Sequence, residues 1–483
     1  MSRGINAVQE ESELLDGKKS SLIPCYIGSS PYWQIDRTDW ASLAGQAFVI
    51  KSITDAKSKI GFFKPESGKW ARHVSICEAV YAHFGDRKNV IGPIIVLLNA
   101  EEVSVAAEPV TANVVISNGY GTLDVGGLAI LSSFSITGKV KGIDYTIEYD
   151  DTGNVLIITD LKKALGTNVS VTYSVVEKLD TLVFTASTFD AIDYFEQTIF
   201  KVPTVLLAPG WDDQVAVPTE NSVGSMLLNL SEGQINNHWY TQSYAQLSST
   251  ARDSIASEKA EKGYNSPKMK VCWPYVKKDG LIYCLTTKFV VAKMKVDISN
   301  DNIPFESASN EILDIDGLCD ISGKVVLQNE KAANSLNEIG IATCNFAQGD
   351  WRTWGVCMSN YLESNKDNIK PEYLNDVAVQ MRDYVSNDFQ AENFDYIDKP
   401  IPPRKAKEIV GDYQVVLNSL VNFGALLFGE ISFNTAENPP SSIADGEFVF
   451  NIAETNTPPG KSITGKVKYT ATGLDSYFRE EDE

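Results

Sequence analysis

Short, nearly continuous apolar runs alternate with amphipathic segments over much of the chain. Residues 22–28 form an apolar run that ends in a glycine, and residues 91–100 are apolar at almost every position. Between them, residues 73–85 place apolar side chains at helical spacing and close on a glycine. A strand that is apolar throughout is typical of a parallel sheet covered on both faces. The order strand, helix, strand therefore predicts an α/β layer.

Residues 102–180 follow a different pattern. Turn residues at short intervals separate segments rich in β-branched and aromatic side chains, and Asp150-Asp151-Thr152-Gly153 predicts a hairpin connection. This spacing predicts a small β-sandwich. Because the α/β pattern returns after Leu179, we expect the sandwich to be inserted into a loop of the first domain. The predicted strands cover 114–118, 128–136, 145–149, 155–159 and 169–175.

Beyond residue 180 the pattern predicts further α/β structure. We expect a strand over 202–210 and a helix over 413–427, whose stripe is Val416, Leu420, Phe423 and Leu427. The end of the chain, 462–478, is predicted to form one or two strands. Further helices are predicted over 189–200, 222–230 and 243–259.

Together these patterns predict an α+β multidomain fold, with an α/β core, an inserted β-sandwich and extended arms at both ends. The 483 residues allow about three domains of ~150 residues. The predicted parts are an N-terminal arm (1–21), a discontinuous α/β domain (22–101 and 181–335), the sandwich (102–180), a C-terminal domain (336–454) and a C-terminal strand and arm (455–483).

The charge balance excludes several classes of function. Lysine and arginine number 42 and aspartate and glutamate 63, which gives a formal net charge of −21. A surface this acidic repels phosphate, so we expect neither nucleic-acid binding nor membrane insertion. No apolar run reaches the ~18 residues of a membrane-spanning helix, and the N-terminus lacks the pattern of a signal peptide. The seven cysteines form no C-x-x-C pair and are expected to be reduced and buried.

Candidate catalytic residues are few. Asp212 and Asp213 follow a Pro-Gly turn and could act as paired carboxylates, but acidic turn residues are common in so acidic a chain. His73 and Cys77 are spaced for a thiolate–imidazole pair on one helix face, although Cys77 belongs to the apolar stripe. Gly119-Tyr120-Gly121 lacks the third glycine of a dinucleotide loop. We therefore expect no catalytic residue, no metal and no cofactor.

Four segments, taken in order, resemble the tail sheath proteins of contractile phage tails and of related injection machines, including tailocins. They are IPCYIGSSP with the strand and helices after it, TVLLAPGWDD, LNEIGIATCNFAQGDWRTWG, and residues 420–452. One departure follows Trp354-Gly355, where family members often continue with Asn or Ala and then Arg-Thr, whereas this chain has Val-Cys-Met-Ser. The motif residues expected to pack are Pro209, Gly210, Gly340, Trp351, Trp354 and Gly355.

The resemblance implies a structural role rather than catalysis. It implies hexameric rings stacked around a tail tube in an extended metastable state, whose contraction drives the tube through the target envelope. The implied partners are copies of the same chain, the tube protein, and baseplate and tail terminator proteins. The sandwich would face outward and residues 336–454 would form an inner domain. The particle, assembled in the bacterial cytoplasm, would be a virion tail or a tailocin.

The resemblance also implies how the subunits are joined. In this family the terminal arms add strands to sheets of neighbouring subunits, through main-chain hydrogen bonds. Here Ile5 and Val8 lie in the N-terminal arm, and Ile463, Val467 and Tyr469 alternate in the C-terminal arm. Frayed termini are the alternative interpretation.

A basic cluster near the C-terminus is the predicted attachment to the tube. Arg404, Lys405 and Lys407, preceded by Lys399, stand out in a chain of charge −21. Their pairing with an acidic tube would be reversible and screened by salt. A solvated charge run beside the neighbouring prolines is the alternative.

Two other hypotheses remain at this point. A monomeric carbohydrate-binding, adhesin-like module would use the sandwich to contact its ligand. A hydrolase or carboxylate metalloenzyme would be built around Asp212 and Asp213.

Overall fold

The computed structural model describes residues 22–86, 90–236 and 238–478, with the side chains of 475–478 excepted. The predicted N-terminal arm, with Ile5 and Val8, lies outside the described residues. The helices are α1 Ile53–Lys59, α2 Ser75–Phe84, α3 Phe195–Thr198, α4 Val223–Glu232, α5 Ile255–Glu261, α6 Leu285–Ser299, α7 Glu330–Asn337, α8 Asp376–Asn393, α9 Pro403–Phe423 and α10 Pro440–Ala444.

The strands are distributed over the whole described chain. They are β1 Pro24–Gly28, β2 Ala47–Ile50, β3 Gly68–Lys69, β4 Ile94–Leu98, β5 Ser104–Val105, β6 Val110–Val115, β7 Tyr120–Asp124, β8 Ser135–Ile136, β9 Tyr145–Tyr149, β10 Val155–Asp160, β11 Asn168–Tyr173, β12 Val176–Glu177, β13 Phe184–Thr185, β14 Val205–Leu207, β15 Ala216–Val217, β16 Gln242–Gln246, β17 Met269–Cys272, β18 Tyr275–Lys278, β19 Leu281–Tyr283, β20 Gly317–Cys319, β21 Ile341–Ala347, β22 Asp350–Trp354, β23 Leu426–Ser432 and β24 Asn451–Asn456.

An eight-stranded sheet forms the centre of the molecule, in the order β2-β4-β1-β14-β16-β17-β21-β22. The six inner strands are parallel, and β2 and β22 pair antiparallel at the two edges. The strands β1, β4, β14, β16 and β17 are buried at every position. The apolar runs are therefore the strands of a parallel sheet, as their pattern predicts.

Helices cover both faces of this sheet. Alternate residues such as Tyr26 and Val96 pack on one face in a core that includes α2 and α6. Their neighbours Cys25 and Ile95 pack on the other face, in a core that includes α4. Side chains of successive strand residues point to opposite faces, so one apolar strand contributes to two cores.

Two three-stranded antiparallel sheets occupy the stretch for which the sequence predicts a sandwich. Their orders are β7-β10-β9 and β6-β11-β8, and one hydrophobic cluster contains residues of both. Strands β5 and β12 pair where the chain enters and leaves this unit. The Trp33 Nε1 donates to the Gly127 carbonyl at 2.8 Å, and the Gln34 Nε2 donates to the Gly153 carbonyl at 2.9 Å. These bonds hold the unit against the central sheet.

The C-terminal part consists of α8 and α9 packed against the two-stranded sheet β23–β24. Helix α9 ends at Gly424, whose φ of +88° is the left-handed cap that glycine favours. The prediction of a helix to residue 427 is therefore wrong, because β23 begins at Leu426. Of the predicted stripe only Leu420 is fully buried. The buried stripe is Ala406, Ile409, Tyr413, Leu417 and Leu420.

Three other sequence-based expectations differ from the structure. The helix predicted over 243–259 is wrong at its start, because Gln242–Gln246 is a central strand and α5 begins only at Ile255. The helix predicted over 189–200 is mostly a 3-10 helix, Ala186–Tyr194. The central sheet also continues past residue 335, through β21 and β22.

A buried ion pair joins the central sheet to the C-terminal helices. Lys270, in β17, and Asp376, the first residue of α8, have side chains that are 0% and 1% exposed, and their Nζ and Oδ2 lie 2.9 Å apart. The same ammonium donates to the Gly355 carbonyl at 2.9 Å, and the Ser307 hydroxyl donates to the same carboxylate oxygen at 2.8 Å. The helix dipole of α8 adds to the stabilisation of the carboxylate. Neither charge can lose its partner without a large desolvation cost.

We expect Asp376→Asn to lower the free energy of unfolding by about 3–5 kcal/mol, because it leaves the Lys270 ammonium buried without a counter-charge. Asp314→Asn is the matched control. Asp314 pairs with Lys278 but its side chain is 82% exposed, so a loss of at most about 1 kcal/mol is expected. Urea-induced unfolding measures both values. Equal losses for the two variants would contradict the role assigned to the buried pair.

Candidate functional site

The C-terminal segment, residues 461–470, contacts the fold through Lys461 at its start and is exposed along its length. All ten residues are exposed, and Ile463, Val467 and Tyr469 are 94%, 100% and 80% exposed. The segment forms no strand with any described residue. At its start, Lys461 lies 3.4 Å from a Glu363 carboxylate oxygen, which fixes the point of departure. An alternating apolar row that is fully exposed lacks the cover that such side chains normally have.

The strand predicted over this segment is thus absent within the single chain. Residues 462–470 form no regular secondary structure within the single chain, and a 3-10 helix follows at Ala471–Phe478. Side chains of a β-strand point alternately to two sides, so a strand formed by this segment would place Ile463, Val467 and Tyr469 on one side and Thr464, Lys466 and Lys468 on the other.

The two-stranded sheet β23–β24 has two edges that differ. On the outer edge of β23, the Gln414 side chain of α9 accepts from the Ile431 N–H at 3.1 Å and donates to the Gly429 carbonyl at 2.9 Å. On β24, the residues that face away from β23 are Ile452 and Glu454, and no described residue forms a backbone hydrogen bond with them there. One edge is therefore capped by a side-chain amide, and the other presents main-chain groups for pairing.

The basic cluster lies at the start of α9. Arg404, whose side chain is 90% exposed, and Lys405 both pair with Glu408, at 3.1 and 3.3 Å. The Lys405 ammonium also lies 4.3 Å from the centre of the Tyr396 ring. Lys407 is exposed. Glu408 thus reduces the positive charge that the sequence predicts for this helix end.

Two motif glycines lie where backbone segments approach closely. Gly340 has φ +68°, and a Cβ there would stand 2.6 Å from the Met358 carbonyl oxygen. Gly355 has φ +142°, and a Cβ would stand 2.9 Å from the Cα of Ala342. Both positions therefore exclude larger residues. Gly355 also supplies the carbonyl that Lys270 contacts, so the motif is part of the buried joint.

The motif tryptophans lie on β22, whereas the sequence suggests packing at a turn. Trp351 packs edge-on to Phe346, with ring centres 5.3 Å apart, and the Trp354 Nε1 donates to Asn334 of α7 at 2.8 Å. These contacts hold the antiparallel edge strand against the core. Pro209 and Gly210 form the turn after β14.

The two candidate carboxylates are in different environments. Asp212 is 4% exposed, and burial raises the pKa of its carboxyl to about 8. Asp213 is exposed and accepts from the Gln214 side chain at 3.1 Å. The described residues include no group of three or more His, Cys, Asp or Glu side chains that could hold a metal ion.

The candidate nucleophile lies in the core. Cys77 is fully buried, and burial raises the pKa of its thiol to about 12, so it is not a thiolate at neutral pH. His73 precedes α2 in a 3-10 helix, and burial lowers its pKa. A second histidine, His83, is fully buried and contacts the Tyr26 hydroxyl at 2.7 Å and the Ile91 carbonyl at 2.7 Å. All seven cysteines are buried and free.

Two features of the structure were missed at the level of sequence. Lys270 stands at the start of the apolar run 271–276, and a lysine directly before such a run was the available signal for a buried pair. The Gln414 cap has no sequence signal, because an exposed helix surface commonly carries glutamine.

The described helices also include none that is long and apolar enough to cross a membrane.

Curated proteins with similar sequences are tail sheath proteins of phages. The chain is 26% identical over 146 residues to the major tail sheath protein of Serratia phage KSP20, covering 30% of this chain and 34% of that protein. It is 23% identical over 221 residues to the tail sheath protein of Burkholderia phage BcepMu, covering 44% of each. The matches thus span less than half the length of these relatives. No protein-family model matches the chain.

Solved structures share the fold over nearly the whole length. One is a chain of the anti-feeding prophage (AFP) baseplate, with a TM-score of 0.55 and 13% identity, covering 97% of this chain and 99% of that one. Another belongs to the PVC sheath complex in the contracted state of an extracellular contractile injection system, with a TM-score of 0.55, 12% identity and coverages of 98% and 99%. The predicted resemblance to contractile tail sheath proteins is confirmed, as is the mixed helix-and-strand fold.

We expect Asp212→Asn to stabilise the protein increasingly as the pH rises from about 5 to 8. The folded chain retains the Asp212 proton up to a pKa of about 8, whereas the unfolded chain releases it near pH 4. Between these values the folded state binds more protons, so wild-type stability falls with rising pH, by at most about 1.4 kcal/mol per pH unit from this group. The variant lacks this loss.

Thermal unfolding of the variant and the wild type at pH 5, 6.5 and 8 measures this difference. Asp213→Asn is the matched control, because it makes the same substitution at an exposed neighbouring position. A stability difference that stays constant with pH for Asp212→Asn would show that the buried carboxyl does not titrate as stated.

Proposed function

We propose that this protein is the sheath subunit of a contractile injection system. It polymerises as stacked hexameric rings around a tail tube, in an extended metastable state, and contracts to drive the tube through the target cell envelope. The observation that carries the proposal is the exposed, alternating C-terminal segment of a chain whose fold matches a contracted sheath complex. The particle is a virion tail or a tailocin, assembled in the bacterial cytoplasm.

The open edge of β24 is the receiving site for a strand from a neighbouring subunit. An incoming strand gains main-chain hydrogen bonds that depend little on its side chains, and its apolar side covers the sheet. A two-stranded sheet is only marginally stable by itself. An additional strand therefore stabilises β23–β24 and, at the same time, the contact between the two subunits. The capped edge of β23 confines addition to one side. Residues 461–470 and the N-terminal arm are the donors.

The domains have separate roles in this proposal. The two sheets within residues 102–180 form an inserted β-sandwich that faces outward, and α8, α9 and β23–β24 form the inner part, next to the tube. Because β21 and β22 belong to the central sheet, the inner part begins after Trp354. The chain has no catalytic role, in agreement with the buried Cys77 and the separate environments of Asp212 and Asp213.

We expect the purified full-length protein to form hollow, striated tubes in negative-stain electron microscopy. The triple variant Ile463→Ser, Val467→Ser, Tyr469→Ser should lose these tubes, because it removes the apolar side of the donated strand. The control variant Thr464→Ser, Lys466→Ser, Lys468→Ser alters the opposite side of the same segment and should still polymerise.

Circular dichroism should show the same fold for both variants, because residues 461–470 are exposed in the single chain. Tubes that persist in the apolar-side variant would refute the donated strand. A full-length protein that stays monomeric under all conditions, with tube protein present, would refute the sheath function itself.

The exposed start of α9 is the proposed contact with the tube. Arg404 and Lys407 reach solvent, and their charge would attract an acidic tube surface at low salt. Such a contact breaks without cost to the fold, which suits a sheath that must move along its tube during contraction.

We expect the variant Arg404→Glu, Lys405→Glu, Lys407→Glu to assemble on tubes poorly and to lose the salt dependence of attachment. Exposed charges act mainly through a long-range attraction that salt screens. The variant replaces three positive side chains by negative ones, so an acidic tube surface would repel it. Lys162→Glu, Lys163→Glu, Lys178→Glu makes the same charge change at exposed positions of the β-rich unit and should leave attachment unchanged. Co-sedimentation with tubes at increasing salt measures both. Unchanged attachment by the α9 variant would remove this contact from the proposal.

A further inference from the structure

A large groove lies between the central sheet and the end of α8. Its volume is 1280 Å³, and its walls include Phe200, Trp239, Phe389, Phe394 and Ile397. The side chains of Phe200, Phe394 and Ile397 are 81%, 65% and 65% exposed. Pockets for small ligands commonly measure about 300–1000 Å³. The size and apolar walls of this groove suit a segment of polypeptide.

The backbone at the groove shows strain. Phe200 has φ +56°, in the left-handed region that bulky residues rarely adopt. The conformation holds an aromatic ring in solvent at the groove wall, where it gains nothing from burial in the isolated fold. Strained backbone of this kind is concentrated at positions that clamp a ligand. Phe200 is therefore placed to cover an apolar occupant.

The N-terminal segment is attached directly to this groove. Ile23 lines it, and the Ile23 N–H donates to the Thr204 hydroxyl at 2.9 Å, while the Thr204 N–H donates to the Ile23 carbonyl at 3.0 Å. Leu22 lines an adjoining cavity, together with Thr204 and Tyr384. The 21 residues that precede Leu22 therefore begin at the groove.

The sequence of that segment supplies an apolar pair at the right distance. Residues 16–21 read Asp-Gly-Lys-Lys-Ser-Ser and contain no large apolar side chain, whereas Leu14 and Leu15 come directly before them. Seven residues of extended chain span at most about 25 Å, so Leu15 is tethered close to the walls of the groove. A short tether gives a high effective concentration, which favours the chain's own segment over that of another copy.

We propose that the groove binds the N-terminal segment of its own chain, with Leu14 and Leu15 as the anchors beneath Phe200, Phe394 and Ile397. The contact fixes the base of the N-terminal arm. On the proposed sheath function, the residues before Leu14 then remain to reach a neighbouring subunit. The docking itself is a property of the single chain and does not require assembly.

A disulfide trap in the full-length protein tests the proposal. Glu13→Cys and Ala391→Cys place one thiol beside the leucine pair and one on the groove wall, and the seven native cysteines are buried. Under mild oxidation by diamide at low protein concentration, we expect a cross-link within the monomer, seen as a mobility shift on a non-reducing gel. Adding Leu14→Asp and Leu15→Asp should slow its formation by roughly tenfold or more, because charged side chains lose the apolar contact.

The matched control adds Ile5→Asp and Val8→Asp instead, which makes the same change further from the groove and should leave the cross-link unchanged. Equal cross-linking in all three proteins, or none in any, would overturn the proposal. Cross-linked dimers whose yield rises with protein concentration would show that a second copy supplies the occupant, which also overturns it. Electron microscopy of the same proteins reports polymerisation separately, so a failure of the sheath function is distinguishable.

Discussion

The buried pair of Lys270 and Asp376 is the contact on which the arrangement of the molecule depends. It joins a central strand of the parallel sheet to the first turn of α8, and the Gly355 carbonyl and the Ser307 hydroxyl add hydrogen bonds to it. If α8 moved away, two charges would be left in an apolar interior without partners, at a cost of several kcal/mol. The sheet and the C-terminal helices are therefore held as one body, and on the proposed sheath function a rearrangement between subunits would be taken up by the terminal segments.

The two edges of β23–β24 give such an assembly a direction. Gln414 satisfies two main-chain groups of β23 that a second strand would need, the Gly429 carbonyl and the Ile431 N–H, whereas among the described residues none bonds the outward main-chain groups of Ile452 and Glu454 on β24. A subunit that donates a strand from one place and receives one at another forms a heterologous contact, which generates rings or helices instead of closed dimers. The same asymmetry limits uncontrolled pairing at the capped edge. In the proposed assembly, Gln414 on α9 would thus determine which edge of the sheet accepts a strand, and so the direction in which subunits are added.

The apolar runs predicted the parallel core well, because a strand buried on both faces is apolar at nearly every position and these runs have the length of strands. The prediction was wrong at β16, where Gln242, Ser243 and Gln246 are polar but buried. Their hydrogen-bond partners, such as Asp383 for Gln242 and Ser231 for Ser243, are distant or lie on another element, so no local pattern shows them. The prediction of the apolar stripe on α9 was wrong for a related reason. The left-handed Gly424 ends the helix, although apolar residues continue at helical spacing beyond it. The groove at Phe200 could not be predicted either, since its walls come from segments spread along the chain from Ile23 to Ile397.

The net charge of −21 sets a further condition on how copies of this chain can adhere. In the proposed assembly, stacked subunits of that charge would repel one another, and salt would screen the repulsion over about 10 Å. Main-chain hydrogen bonds between strands are almost independent of ionic strength, so strand addition can hold the lattice while its surfaces repel. Attraction between the start of α9 and an acidic tube weakens in the same salt that relieves the repulsion between subunits. Contacts between subunits and contacts with the tube would therefore respond to ionic strength in opposite directions, which allows a lattice to remain joined while it slides along its tube.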